Sequence, residues 1–270
     1  MRGLECVANV SEGKDAERLD QFAGVCSSSL LDLHSDPNHN RSVFTLFGPD
    51  LSDDLKSLAI AVVENLDIRE HLGVHPRIGV LDVVPFCPLG GATMDEAIAA
   101  RDDFARWIWT RLGVPAFLYG AERTLPELRH GAFSLFSPDF GAAMPHASAG
   151  ACAVGARNLL VAYNLIMGAE IGEVRALASE IRSPQVRALA MQAGPDVQLS
   201  MNLVAPLEVT PEDAYDFAAA RLPVLSAELV GLVPEEVMNL ITPERWKQLG
   251  LSVTSTIEAR IASKPWAKSS

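Results

Sequence analysis

The strongest constraint on what this chain can fold into is an alternation that runs from end to end. Short apolar, β-prone runs are separated by stretches with apolar residues at helical spacing. Strands are expected over residues 4–10, 42–47, 78–86, 116–119, 159–166, 197–204 and 229–233. Helices are expected over 15–26, 52–66, 93–112, 171–181 and 211–222, with Ser52 and Thr93 as N-caps. Such interleaving predicts an α/β or α+β architecture. With 270 residues the chain has room for two domains of ordinary size. A junction near residue 158 divides the pattern into 1–158 and 159–270, with no close sequence repeat between the halves.

Charge and cysteine usage exclude several functions. A net charge of −12 argues against nucleic acid as the main partner, because phosphate binding needs a basic surface. It argues equally against a polybasic membrane contact. No run approaches the length of a membrane span, and the N-terminus lacks the apolar core of a signal peptide. Cys6, Cys26, Cys87 and Cys152 are far apart and form no CxxC pair, so neither a structural zinc site nor a disulfide scaffold is expected. The chain reads as cytoplasmic, with reduced thiols.

Chemistry concentrates in EHLGVHPRIG, residues 70–79, between a helical pattern and an apolar strand. His71 and His75 exchange protons near neutral pH without help. Their i, i+4 spacing would suit a metal only on a helix. Gly73 and Pro76 oppose that helix, and the HExxH glutamate is missing. A catalytic or binding histidine and a loop-bracing one both remain open. Upstream, DPNHNR at residues 36–41 is explained as a turn, or Asn40 and Arg41 clamp a carboxylate through forked donors.

Residues 140–156 are built mainly of small side chains, with Gly141, Pro145, His146, Ser148 and Gly150 among them. The segment is an interdomain linker or a loop that lets backbone approach a flat ligand. Asn164 and Asn202 interrupt apolar strands and need polar partners, in the protein or in a ligand. No GxxxxGK[ST], strand-linked GxGxxG or GxSxG motif is present, so nucleotide-dependent and serine-hydrolase chemistry lack support.

Taken in order, ECV with NVSEG, residues 36–43, residues 71–88 carrying GxHPRIGxLDVxPF, LYG, PDFG and residues 149–157, 200–210 and 228–234 resemble the glutamate formiminotransferase family. This is the transferase half of formiminotransferase–cyclodeaminase. The resemblance implies two similar ferredoxin-like α/β subdomains, with mixed sheets facing each other, helices outside and folate in a tunnel between them. It implies transfer of a formimino group from N-formimino-L-glutamate to N5 of tetrahydrofolate in histidine breakdown, in a homodimer without metal. It makes His75 the acid–base and His71 a supporting residue. Residues 141–150 become the folate loop, and Arg41 and Arg77 candidates for glutamate carboxylates. The chain departs from the family pattern at Val74, where glutamate is usual, and at Leu72, where lysine is usual. His34 and Ala142 are further departures, and the segment between Tyr119 and Leu125 is short. Formyl transfer between 5-formyltetrahydrofolate and glutamate uses the same site. A folate-binding homologue without catalysis, and a metal-dependent hydrolase using His71, His75 and a carboxylate, are the readings from other classes.

Overall fold

A computed structural model describes residues 2–73 and 76–269, and the chain divides into two compact units, 1–158 and 159–270. In the first unit the order is β1 (Gly3–Val10), α1 (Ala16–Val25), β2 (Leu30–Asp36), β3 (Arg41–Phe47), α2 (Leu51–Asn65) and β4 (Leu81–Leu89). It continues with α3 (Met94–Leu112), β5 (Ala116–Tyr119), α4 (Leu125–Gly131) and β6 (Cys152–Ala156). The sheet runs β2-β3-β1-β4-β6-β5; its first three pairings are antiparallel, and β6 pairs in parallel with both β4 and β5.

Alternation along β1 sends Cys6, Ala8 and Val10 to one face. There they join Phe44 and Leu46 of β3, Leu55, Leu58 and Val62 of α2, and Phe104 and Ile108 of α3 in the main core. Burying one such leucine fully is worth about 2–3 kcal/mol. A smaller cluster of Val83, Phe117, Tyr119, Leu128, Ala151 and Ala153 lies apart from that core. All four cysteines are free and buried. Burial pushes the Cys87 thiol up to about 12 and raises Cys6 and Cys152 as well, so these side chains behave as small apolar groups.

The second unit contains β7 (Val161–Met167), α5 (Ile171–Ile181), β8 (Val186–Ala193), β9 (Asp196–Leu203), α6 (Pro211–Ala219), β10 (Val224–Val230), α7 (Glu235–Met238) and α8 (Ile257–Ser263). Its sheet, β10-β7-β9-β8, is antiparallel throughout rather than mixed. The β7–β10 part repeats the βαββαβ connectivity and strand order of β1–β4, so both units carry a ferredoxin-like core.

Thr93 caps α3 with a full capping box, as expected. By contrast α2 starts one residue early, at Leu51, after Asp50. Ser52 is therefore inside the helix, and the Asp50 carboxylate instead accepts from Ser28. Strand β10 lies earlier than residues 229–233, and β2, β6 and β8 lie outside the strands expected from periodicity. Strand β6 falls inside the small-residue segment, which is therefore not a linker. No described helix is long and apolar enough to cross a membrane.

Candidate active site

Four motif segments, distant in sequence, meet in the first unit. Ser11, just past β1, donates its hydroxyl to Gly79 O at 2.8 Å and its N–H to Val80 O at 2.8 Å. Residues 78–80 are laced to 149–151, with Ala151 N–H to Ile78 O at 2.9 Å and Val80 N–H to Ala149 O at 3.0 Å. Ser148 O accepts from Ile68 N–H at 2.7 Å, which ties the same loop to the approach of the histidine segment. Both glycines at this crossing are required by close approach. A Cβ on Gly79 would lie 2.0 Å from Ala151 O, and one on Gly150, at φ +72°, 2.3 Å from Ile78 O.

The histidine segment follows a short 3-10 turn, Ile68–Glu70. Asn40, at φ +47°, is its main anchor. Its amide oxygen accepts from Gly13 N–H at 2.9 Å, and its amide nitrogen donates to Leu72 O at 3.1 Å. That nitrogen also lies 3.5 Å from His71 Nδ1. Arg77 reaches back and donates to Asn40 O at 3.1 Å and His39 O at 2.9 Å. Gly73 fits beneath, where a Cβ would be 2.4 Å from His39 O. His75, the expected acid–base, and Val74 lie outside the described residues. Burial, with the Arg77 charge, lowers the His71 pKa, so this imidazole favours its neutral form.

Asp82 makes the second anchor. Strand β4 bulges against β1 here, since Val10 opposes Leu81 and Asn9 opposes Val83, leaving Asp82 as the extra residue. Its fully buried carboxylate accepts from Ile78 N–H at 2.7 Å, Arg41 at 2.7 Å and Arg129 at 2.8 Å. Arg41 completes its fork with Asn9 Oδ1 at 3.1 Å. Burial alone would push the Asp82 carboxyl up, but the Arg41 and Arg129 guanidiniums outweigh it and hold it below the usual range. Burial and the Arg41 charge bring Arg77 down to about 10, with Arg129 adding to the effect and Asp82 opposing it. Arg41 is thus held by internal partners at the site where sequence suggested a carboxylate clamp. A lone aspartate inside an apolar run was the available signal for Asp82; Arg129 carried none.

The NVSEG motif resolves into a carboxylate-capped turn. Glu12 accepts from the N–H groups of Gly13, Lys14 and Asp15 at 2.8–3.1 Å and pairs with Arg18 at 3.3 Å. A cavity of about 400 Å³ opens beside it, with Ser11, Glu12, Asn40, Glu70, His71 and Ser148 on its wall.

In the small-residue loop, Gly141 at φ +120° passes against Pro115, where a Cβ would be 2.9 Å from the Pro115 Cα. His146 Nδ1 accepts from Ala149 N–H at 3.0 Å and Ser148 N–H at 3.4 Å, so the ring braces the loop. Pro145 is exposed. In the second unit Asn164 is buried and finds protein partners, Glu228 at 3.1 Å and Ser200 at 2.8 Å. Asn202 is exposed rather than buried, because strand alternation puts it on the face of β9 opposite to Met201 and Leu203. Among the described residues no three His, Cys, Asp or Glu side chains form a metal-binding group.

Two ferredoxin-like units, the first carrying a histidine loop laced to a glycine-rich loop, define an α/β protein with a polar site built from backbone crossings. Residues 3–157 match the formiminotransferase domain, N-terminal subdomain. The chain is 34% identical over 275 residues to the glutamate formimidoyltransferase of Thermoplasma acidophilum, covering 87% of this chain and 89% of that protein. It is 32% identical over 271 residues to the glutamate formimidoyltransferase of Streptococcus pyogenes serotype M1, covering 87% and 90%. Against the formimidoyltransferase-cyclodeaminase of Sus scrofa it is 34% identical over 271 residues, covering 86% of this chain and 50% of that protein. The chain belongs to the formiminotransferase family.

Proposed function

We propose that this protein is a glutamate formimidoyltransferase that moves the formimino group of N-formimino-L-glutamate to N5 of tetrahydrofolate, in histidine breakdown. The observation that carries the reading is the crossing of residues 78–80 with 149–151, which draws the histidine loop and the proposed folate loop into one assembly. Relatives named as glutamate formimidoyltransferases along nearly their whole length support it. In the reaction the N5 lone pair attacks the formimino carbon and forms the new C–N bond. The tetrahedral intermediate then breaks its bond to the glutamate nitrogen. One proton leaves N5 and one reaches the departing nitrogen. His75, as a neutral imidazole, takes the first and returns it to the second, a role worth roughly 10²–10⁴-fold in rate. Holding donor and acceptor together contributes much of the remainder. His71, kept neutral beside Asn40, supports the loop. Residues 141–150 face the folate with small side chains, and Arg77 braces the loop from which it projects. The same reading has the enzyme act in the cytoplasm, and as a homodimer, which sedimentation of the purified protein checks.

The test is turnover of tetrahydrofolate with formiminoglutamate, followed by the ultraviolet change of the folate. His75→Ala is expected to abolish turnover while folate binding, measured by calorimetry, persists. Wild-type-like turnover in that variant removes His75 from the mechanism, and no turnover by the unaltered protein removes the activity.

A further inference from the structure

We infer that Asn40 is a positioning residue of the histidine loop and not a ligand for substrate. The inference rests on the transferase reading with His75 as acid–base. Each hydrogen-bonding group of the Asn40 side chain has a backbone partner. Its oxygen holds Gly13 N–H at 2.9 Å, which fixes the turn after β1. Its nitrogen holds Leu72 O at 3.1 Å, on the N-terminal side of His75 in sequence. Its own carbonyl accepts from Arg77 at 3.1 Å, on the C-terminal side. One residue therefore ties both flanks of the catalytic loop to the β2–β3 turn. The backbone at φ +47° explains the residue type, because asparagine and glycine tolerate this left-handed region and most others do not. Asparagine alone of the two also supplies a donor and an acceptor. With Glu12 meeting the neighbouring N–H groups, the polar side chains here build the loop's seat before any substrate arrives.

A carboxylate-clamping asparagine and a positioning one differ in their kinetic signature. Loss of a ligand contact that is equal in the ground and transition states raises KM; loss of positioning lowers kcat. Asn40→Gly keeps the left-handed backbone and removes both side-chain bonds. Asn40→Asp keeps the acceptor for Gly13 but loses the donor to Leu72. We expect Asn40→Gly to lower kcat at least tenfold, with KM for both substrates and the Kd for folate within threefold of wild type. Asn40→Asp is also expected to lower kcat at least tenfold with KM within threefold, because a carboxylate oxygen then faces the Leu72 carbonyl in place of the donor. Should Asn40→Gly fail to give a cooperative thermal transition, the decision passes to Asn40→Asp alone. Unchanged kcat in the folded variants overturns the inference, as does a fall in kcat/KM carried by KM for the glutamate donor. His75→Gln and the unaltered protein, assayed alongside, separate the two claims: full activity in His75→Gln removes His75 as acid–base, and no turnover by the unaltered protein removes the transferase reading, whatever Asn40 does.

Discussion

Gly79 and Gly150 pair across an antiparallel bridge at which neither residue can carry a side chain. The obstacle on each side is backbone, since the virtual Cβ of Gly79 meets Ala151 O at 2.0 Å and that of Gly150 meets Ile78 O at 2.3 Å. Carbonyls in a hydrogen-bonded ladder do not move aside as a flexible side chain does. Gly150→Ala adds a left-handed backbone at φ +72° to the clash, a strain worth about 1–3 kcal/mol by itself. Both Gly79→Ala and Gly150→Ala are expected to cost about 3 kcal/mol or more in chemical denaturation and to abolish transfer. Gly91→Ala is the control. It shares a positive φ but meets nothing within 4 Å, so its cost should be the backbone strain alone. Equal stability of all three variants would show that the crossing does not require glycine.

Asp82 supports the same segment by accepting from Ile78 N–H. Asp82→Asn keeps the shape, yet it leaves Arg41 and Arg129 without the charge that both contact. Breaking a buried pair in this way typically costs about 3–5 kcal/mol, because the remaining charge stays desolvated. Urea denaturation should register a loss in that range. Adding Arg41→Met to Asp82→Asn should cost less than the sum of the separate changes, since the two residues share one interaction. Strict additivity, or a single-mutant loss under about 1 kcal/mol, would contradict the paired-charge account.

The fold was legible where periodicity was strong. Helix α5 and strand β5 coincide with their expected limits, and Thr93 announced its capping box. What escaped was held in place by partners distant in sequence. Strand β6, made of Cys152, Ala153, Val154, Gly155 and Ala156, has little intrinsic strand preference and exists because β4 and β5 flank it on both sides. Ser52 looked like a cap because local chemistry favours serine, but helix α2 starts after Asp50 in the folded chain. In the site, residue types identified the histidine loop and the glycine-rich loop. Their mutual lacing was not visible, nor was the commitment of Arg41 to Asp82, since hydrogen bonds across 41 positions leave no local signal. The shared βαββαβ topology of the two units likewise leaves no close sequence repeat, because strand order depends on the alternation of elements more than on particular side chains.

His71 gives the protein a pH dependence of definite sign. Its folded-state pKa lies below the ordinary histidine value of about 6.5, so below that pH the unfolded chain binds more protons at this position. The contribution to stability is therefore fully present above about pH 6.5 and is lost as pH falls through the folded pKa. His71→Gln should flatten part of the decline in denaturation midpoint between pH 7.5 and pH 5. An NMR titration of the imidazole that placed its pKa at or above 6.5 would reverse the expected sign.

In the second unit Tyr163 tests whether a buried hydroxyl contributes to the core. The side chain is fully buried on β7, and its hydroxyl donates to Leu249 O at 2.9 Å, joining the sheet to the segment that follows α7. Burial pushes the phenol well above its ordinary pKa, so it stays a neutral donor throughout the usual working range. Tyr163→Phe removes the donor but keeps the ring, leaving Leu249 O without this bond. A loss of about 1–2 kcal/mol is expected, a bond's net worth plus part of the cost of a buried carbonyl left unpaired. Faster hydrogen exchange should appear at Leu251, whose N–H is paired to Trp246 O in the same turn, with little change in the first unit. Stability equal to wild type, with exchange at Leu251 unaltered, would mean that packing around the ring holds this segment without the hydroxyl.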